Sequence, residues 1–271
     1  MANHHIQNNN NIADVEKGLH RTGTAVTMPP ELFEKLYLTP KPPSATKFAN
    51  PTALGFVGFV ISTFTFAVVL MGWGGAAGLS PVVGIFFFVG PLLLTFAMVF
   101  EWVMGNFFAM MVMGLFAVFW LSLGLFQLPT LNLSLPYATS SDPTGAGSAA
   151  YNTDIALYLI VWGFALFTFF LFTLKINAVF AGIFGLAAAA VWVLAGAYFK
   201  VAAGDFTAAK RLQVTGGALL FVVAALGWYT VLAIMAAEMR LPVLNKLPVG
   251  DLSRFWPRTD VSLGSAERKE E

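Results

Sequence analysis

The chain has no cysteine, which excludes disulfides, thiolate zinc sites, iron–sulfur clusters and cysteine nucleophiles together. Its three histidines, His4, His5 and His20, all fall in the first twenty residues, so the rest of the chain has no imidazole for catalysis or metal binding. Charge is scarce as well: 11% of the 271 residues are Asp, Glu, Lys or Arg, against about 25% in a soluble domain. That is too little to solvate the surface of an ordinary soluble protein. The net charge is +1 and the basic residues form no stripe, so no nucleic-acid partner is expected. The first 49 residues are polar, include the run Gln7 to Asn11, and contain no apolar h-region. This tail is therefore expected to stay on the side where it was made.

What is abundant is apolar sequence: 58% of residues, among them 27 Phe and 7 Trp, with a mean hydropathy of +0.74. A bilayer core needs roughly 20 apolar residues of helix. Six blocks of that order occur, from Pro51 to Met71, Pro81 to Phe100, Asn106 to Gln127, Ile155 to Leu174, Ala178 to Phe199, and Val214 to Ala237. A transmembrane β-barrel is disfavoured, because its strands alternate apolar and polar residues, whereas Val82 to Phe88 has no polar side chain at all. The fold class read from the sequence is an all-α integral membrane protein, a bundle of six transmembrane helices. Its expected organisation is an N-terminal tail (1–49), mostly disordered around Pro29-Pro30 and Pro42-Pro43, a membrane domain (50–237) and a C-terminal tail (238–271). Between the proline pairs, Glu31 to Tyr37 reads either as a short amphipathic turn on the membrane surface or as a solvated linker.

The basic residues set the orientation. Placing both termini in the cytoplasm puts Lys17, Arg21, Lys35, Lys41, Lys47, Lys175, Arg240, Lys246, Arg254, Arg258, Arg268 and Lys269 inside, and only Lys200, Lys210 and Arg211 outside. The positive-inside rule favours that arrangement. The segment from Leu128 to Asn152 is then external. It holds one sequon, Asn132-Leu133-Ser134, which reads more simply as a chance match close to the membrane than as a glycosylated site.

Charged side chains inside a membrane span are functional candidates by default. The six blocks contain none: Glu101 and Lys175 stand at cytoplasmic ends and Asp154 at an external one. A pump built on a carboxylate relay is disfavoured, and a membrane enzyme more so, for want of a nucleophile, base and acid together. No catalytic residue, metal site or cofactor is expected. What remains are helix starts, hydroxyls and aromatic walls. Asn50-Pro51 puts a capping residue before a proline at the first helical position, and the exposed N–H groups of such a start suit an anion. Gly105-Asn106 repeats the arrangement, with Glu101 four residues before Gly105. Ser62 and Thr63 lie one helical turn beyond Phe59. Each of these also has a plain structural reading, as a cap or as a hydroxyl bonded to its own helix. The pairs Gly55 with Gly58 and Gly182 with Gly185 permit close helix approach.

These residues resemble the acetate uptake transporter family, also called succinate-acetate permeases or the YaaH type. Its first-span signature, Asn-Pro-Ala-Pro-Leu-Gly-Leu, is similar to Asn50-Pro51-Thr52-Ala53-Leu54-Gly55-Phe56. Its second, Glu followed by Gly-Asn-Thr-Phe and later Tyr-Gly-x-Phe-Trp, is similar to Glu101, Gly105-Asn106-Phe107-Phe108 and Phe116-Ala117-Val118-Phe119-Trp120. Thr173-Leu174-Lys175 and Leu247-Pro248-Val249-Gly250-Asp251 also look like landmarks of the family, and the likeness covers about residues 48 to 251. It departs at Ala53, at Phe107 and at Leu115-Phe116-Ala117, where the family has Ser-Tyr-Gly. The long N-terminal tail is similar to fungal members, which implies a plasma-membrane location.

The resemblance implies six helices per protomer, a homo-hexamer in the lipid bilayer, and a path for a small carboxylate through each protomer. It also implies a constriction from a Phe of the first span (Phe59), the Tyr position of the third (Phe116) and a Leu of the fifth (near Leu186). The expected pathway set is Asn50, Gly55, Phe59, Ser62, Thr63, Glu101, Asn106, Phe116 and Leu186. The expected function is transport or conduction of small monocarboxylates such as acetate, as an anion or coupled to a proton. Alternatives are a non-transporting membrane sensor or scaffold of the same fold, and a channel for another small solute such as ammonia.

Overall fold

The apolar blocks fold as helices in the computed structural model, which describes residues 49–241, 247–252 and 255. The possible turn over Glu31 to Tyr37 and most of both tails lie outside the described residues. Six helical spans follow one another. They are α1 (Thr52–Met71), a second span ending in α2 (Gly90–Val103), α3 (Phe107–Phe126), α4 (Ala149–Thr173), α5 (Ala178–Ala202) and α6 (Phe206–Glu238). Helices are the outcome such sequence dictates, since backbone N–H and C=O groups in hydrocarbon must be satisfied within the segment.

The second span is not the single regular helix expected from Pro81 to Phe100. It begins with a 3-10 turn at Ser80–Val82, passes through a π-helical turn at Ile85–Val89 and becomes α-helical only from Gly90. Pro91 supplies the reason: it has no N–H to donate and its ring collides with the carbonyl four residues earlier in a regular α-helix. The preceding turn widens, and Gly90 N–H bonds to Ile85 O.

Other boundaries also lie outside the hydropathy blocks, because polar residues continue the helices. α4 starts at Ala149 rather than Ile155, and the Asn152 amide inside it donates to the Ala146 and Ser148 carbonyls at 2.8 and 2.9 Å. α6 starts at Phe206 rather than Val214, capped by Asp205, whose carboxylate accepts from Ala208 N–H at 3.0 Å. α2 runs to Val103 rather than Phe100, α5 to Ala202 rather than Phe199, and α6 to Glu238 rather than Ala237. The helices therefore contain Glu101, Asp154, Lys200, Lys210, Arg211 and Glu238, which corrects the expectation of spans free of charged side chains.

Consecutive helices pack closely along their backbones except α3 and α4, which stand further apart, and α6 closes back on α1. Small residues make the tightest approaches. A Cβ on Gly58 would stand 2.7 Å from Leu93 Cβ on α2, and one on Gly227 would stand 2.6 Å from Val60 Cγ2 on α1. Between α3 and α4 larger groups meet: Phe119 and Trp162 lie edge to face at 5.0 Å, and Ser122 and Tyr158 share a 2.5 Å hydrogen bond. The odd-numbered helices are more buried than the even-numbered ones. The even helices accordingly carry many of the exposed rings, including Phe96, Phe100, Trp102, Phe164 and Phe172.

The starts of α1, α3 and α5 share one end of the bundle, since successive helices are antiparallel neighbours. At that end residues 247–252, within the expected C-terminal tail, lie against the start of α5. Ala178 N–H donates to Gly250 O at 2.7 Å, Leu252 N–H to Ile176 O at 3.3 Å, and the Tyr229 hydroxyl to Pro248 O at 2.6 Å.

Candidate functional site: a cavity closed by rings above a polar cluster

One face of α1 organises the site. Thr52, Phe56, Phe59, Thr63, Phe66 and Leu70 recur at alternating spacings of four and three, so they stack along one side of the helix, and all are buried. The upper part of this stripe, from Phe59 to Leu70, forms part of the wall of a cavity of about 310 Å³. Phe116, Phe119, Trp120 and Leu123 of α3, Leu159 and Leu166 of α4, and Ala187, Val191, Leu194 and Tyr198 of α5 complete much of the wall. At its open end the cavity meets the exposed residues Ala77, Gly78 and Lys210, together with Gln127 and Gln213.

At the deep end the rings of Phe59 and Phe116 lie 4.6 Å apart between centroids, and Phe184 of α5 packs 5.7 Å from Phe116. Each inner helix thus contributes one phenylalanine to a plug. Phe56 and Phe180 continue the stack, at 5.4 Å, toward the helix starts. Leu186 is half-buried and lies behind the wall; Ala187, the next residue, faces the cavity. At 100° per residue a one-residue offset is enough to turn a side chain off the lining face.

The two hydroxyls beyond Phe59 take different directions. Thr63 lines the cavity and donates to the Phe59 carbonyl at 2.7 Å, leaving its oxygen lone pairs toward other partners. Ser62 faces the second span and donates to Ile85 O at 3.3 Å, where the π-helical turn begins.

Seven residues before Phe59 on the same α1 face, about 10 Å along the axis at ~1.5 Å per residue, Thr52 belongs to a polar cluster. Glu101 is fully buried there. Its carboxyl group accepts from the Thr52 hydroxyl on one oxygen and from Asn106 Nδ2, at 2.6 Å, on the other. Asn106 stands at the start of α3 as expected, but its side chain caps nothing and reaches Glu101 instead. Asn50 sits one position before the residue that bounds α1, which is Pro51. Its Oδ1 still captures the Thr52 N–H, at 3.0 Å, and its Nδ2 donates to Glu238 of α6 at 3.2 Å. Gly55 lets this corner close, since a Cβ there would lie 2.8 Å from Ala97 Cβ on α2. Of the expected set, Asn50, Glu101 and Asn106 come together at one end with Gly55 beside them. Phe59, Thr63 and Phe116 meet at the cavity. Ser62 and Leu186 face away from it.

A sequence profile described as the GPR1/FUN34/yaaH family matches residues 34–249. The chain belongs to this family. Among relatives, Protein alcS of Aspergillus fumigatus is 37% identical over 87% of this chain and 88% of its own length. Acetate transporter protein patA of Penicillium expansum is 32% identical over 78% of this chain and 81% of its own. Ammonia transport outward protein 2 of Saccharomyces cerevisiae is 29% identical over 73% of this chain and 65% of its own. Among solved structures, the bacterial acetate channel SatP superposes with a TM-score of 0.56 at 23% identity, covering 75% of this chain and all of that one. That likeness gives the GPR1/FUN34/yaaH chain the SatP fold, and the six apolar helices make it an integral membrane protein.

Several side chains in this family member were not singled out from the sequence. Trp120 is buried in the cavity wall with its indole N–H unpartnered among the described residues, and so is the amide of Asn177 at the start of α5. Asn177 was legible in principle, being the third asparagine at the start of an odd-numbered span; its Oδ1 caps Phe180 N–H at 2.8 Å. Phe184, Tyr198 and Lys210 gave no comparable signal, because only the helical phase decides which of many aromatic or terminal residues faces inward. No group of histidine, cysteine or carboxylate side chains fit to hold a metal occurs among the described residues. Outside the spans, two groups show displaced acidities. A hydrogen bond to Asp154 at 3.1 Å, with that group's charge, pushes the Tyr137 hydroxyl up. The Thr144 hydroxyl, followed by backbone N–H donors, holds the Asp142 carboxyl below its ordinary range.

Proposed function

We propose that the chain carries small monocarboxylates, acetate first among them, across a membrane through each protomer. The observation that carries this reading is the apolar cavity that ends on Phe59 and Phe116, with Glu101, Thr52 and Asn106 two helical turns beyond on the same face. Apolar walls suit the methyl end of acetate, while Thr63 and the polar cluster offer hydrogen-bonding groups before and after the rings. The identity to patA over most of both chains supports a carboxylate as the solute. In this reading Phe59 and Phe116 gate the path, and Glu101 with Asn50, Thr52 and Asn106 orders its far end. Gly55 permits the packing that holds them. Ser62 acts through the second span, and Leu186 backs the wall. The protein is not an enzyme in this account; it acts as a homo-oligomer, a hexamer as the resemblance implies, in the plasma membrane with both termini cytoplasmic.

Flux of labelled acetate into vesicles reconstituted with the purified full chain tests the proposal. Saturable uptake absent from empty vesicles is the expected result. A second reading, passage of ammonia, is favoured by the yeast relative and by the largely apolar wall. Ammonia flux without acetate flux would replace the first reading with the second, and no flux of either would favour a sensor or scaffold.

A further inference from the structure

The geometry points to Lys210 as the residue that collects carboxylate anions at the open mouth of the cavity, an inference that rests on the monocarboxylate reading above. Lys210 is the charged side chain in the cavity lining among the described residues. Three basic residues occupy this end of the bundle, and their surroundings differ. Lys200 lies 3.9 Å from Asp205. Arg211 borders a shallow hollow on the outer side with Phe206 and Val214, and not the cavity. Lys210 borders both, and among the described residues no carboxylate stands within ion-pair distance of it.

The acids that share this end are engaged elsewhere. Asp142 accepts from donors of its own loop, Asp154 from the Tyr137 hydroxyl, and Asp205 from the backbone at the start of α6. The position of the lysine is fixed by the helix: because α6 begins at Phe206, Lys210 sits in its second turn. Gln213, one turn further, faces the same cavity while donating to Leu70 O at 3.2 Å. A fixed cation at the rim of a low-dielectric cleft raises the local concentration of anions, and the effect falls steeply with salt. It selects for the charged carboxylate over a neutral amine at the entry step, ahead of the rings.

The same lysine chemistry also suits the phosphate of a lipid headgroup, with the stem snorkelling along α6, and the experiment separates the two. Acetate uptake is measured in vesicles of phosphatidylcholine alone and with added anionic lipid, for wild type, Lys210→Gln and Lys210→Arg at matched protein amounts. In phosphatidylcholine at low ionic strength, Lys210→Gln should raise KM about fivefold, the fold-change of a unit-charge attraction at about 4 Å in water, with Vmax unchanged. Lys210→Arg should restore KM. At about 1 M salt, where the Debye length is about 3 Å, the three proteins should converge.

A Lys210→Gln protein with the wild-type KM and salt dependence overturns the inference, as does an effect confined to anionic lipid, which assigns Lys210 to headgroups. So does a matching fall in Vmax and thermal stability that Lys210→Arg fails to rescue. Absence of acetate uptake by the wild type is the separate failure of the monocarboxylate reading itself, and the inference falls with it.

Discussion

The two closed points along α1, the ring plug and the polar cluster, are built on opposite principles. At the plug, the rings of Phe59, Phe116 and Phe184 meet tilted against one another, with centroids 4.6 and 5.7 Å apart and no hydrogen bond between them. Dispersion and exclusion of water hold them, forces that act without direction. At the cluster, each oxygen of the buried Glu101 has one neutral donor, from Thr52 and from Asn106. Hydrogen bonds are directional, and a buried group left without its partner costs far more than the bond contributes net. The plug should therefore express a change of side-chain size as a change in what passes. The cluster should tolerate little and express any change as lost order.

Phe116→Ala tests the first half of this contrast and carries the largest expected effect. Truncation of a buried aromatic costs about 3 to 5 kcal/mol, and the space opens directly onto the cavity. Longer acids should then compete with acetate, read in a series from formate to butyrate. Phe116→Tyr should hold stability and shift preference toward the shortest acids. An unaltered preference order in both variants, at equal protein amount, would remove the gate role and leave packing alone.

Glu101→Gln tests the second half. The amide oxygen can still accept from Asn106 Nδ2, but the amide nitrogen now faces the Thr52 hydroxyl, which must reverse from donor to acceptor, so the pair survives only with one bond turned round and weakened. A cost of about 1 to 3 kcal/mol should appear as a lower unfolding midpoint in detergent. Uptake should fall for all acids alike, with no change in their order. A changed order with unchanged stability would mean that Glu101 reads the substrate rather than ordering the path.

The unequal legibility of the two regions has the same origin. Six spans were readable because hydropathy is local and additive, and the helix starts at Asn50 and Asn106 were marked by their own residues. The starts of α4 and α6 were under-read because Asn152, Asp154, Lys210 and Arg211 lower local hydropathy, although Asp205 and Asn152 stabilise those helices by hydrogen bonds. The π-helical turn at Ile85–Val89 was written in Pro91 but not in composition. Phe59 and Phe116 were placed by the family signatures, and their meeting depends on the relative rotation of α1 and α3, which no single segment encodes. The fifth-span position was placed only near Leu186 for that reason, and Ala187 beside it lines the cavity. Glu101 looked like a helix end until Thr52, 49 positions away, was brought to it.

Asn50→Ala sharpens the contrast from the edge of the cluster. It removes the bond to Thr52 N–H and the one to Glu238 while leaving Glu101 and both its donors in place. Loss of a capping side chain costs about 0.5 to 2 kcal/mol, less than a partner lost inside the cluster. Uptake is expected to fall several-fold while expression holds. Wild-type uptake at matched surface levels would confine Asn50 to a structural cap.

The smallest effect is expected where a carboxyl group with twice as many hydrogen bonds from neutral donors stands in water. Asp142 accepts from Thr144 N–H, the Thr144 hydroxyl, Gly145 N–H and Gly147 N–H, at 3.2, 2.7, 3.1 and 2.8 Å. These bonds compete with solvent, unlike those of Glu101. Asp142→Asn keeps the oxygen that takes three of them and opposes Gly147 N–H with a donor. The loop should become more open to proteolysis, with no change in acetate uptake. The acidity of Asp142 sets the sign of its pH dependence. Its donors hold the folded-state value below the ordinary 3.8, so the stabilisation is complete above that value and is lost as pH falls through the lower, folded one. Pepsin digestion across acidic pH should show the wild-type loop resisting to lower pH than the Asp142→Asn loop. Equal resistance in both would mean that the carboxylate does not hold the loop. A loss of uptake in Asp142→Asn would instead couple this loop to the cavity and erase the distinction between the buried and the solvated carboxyl group.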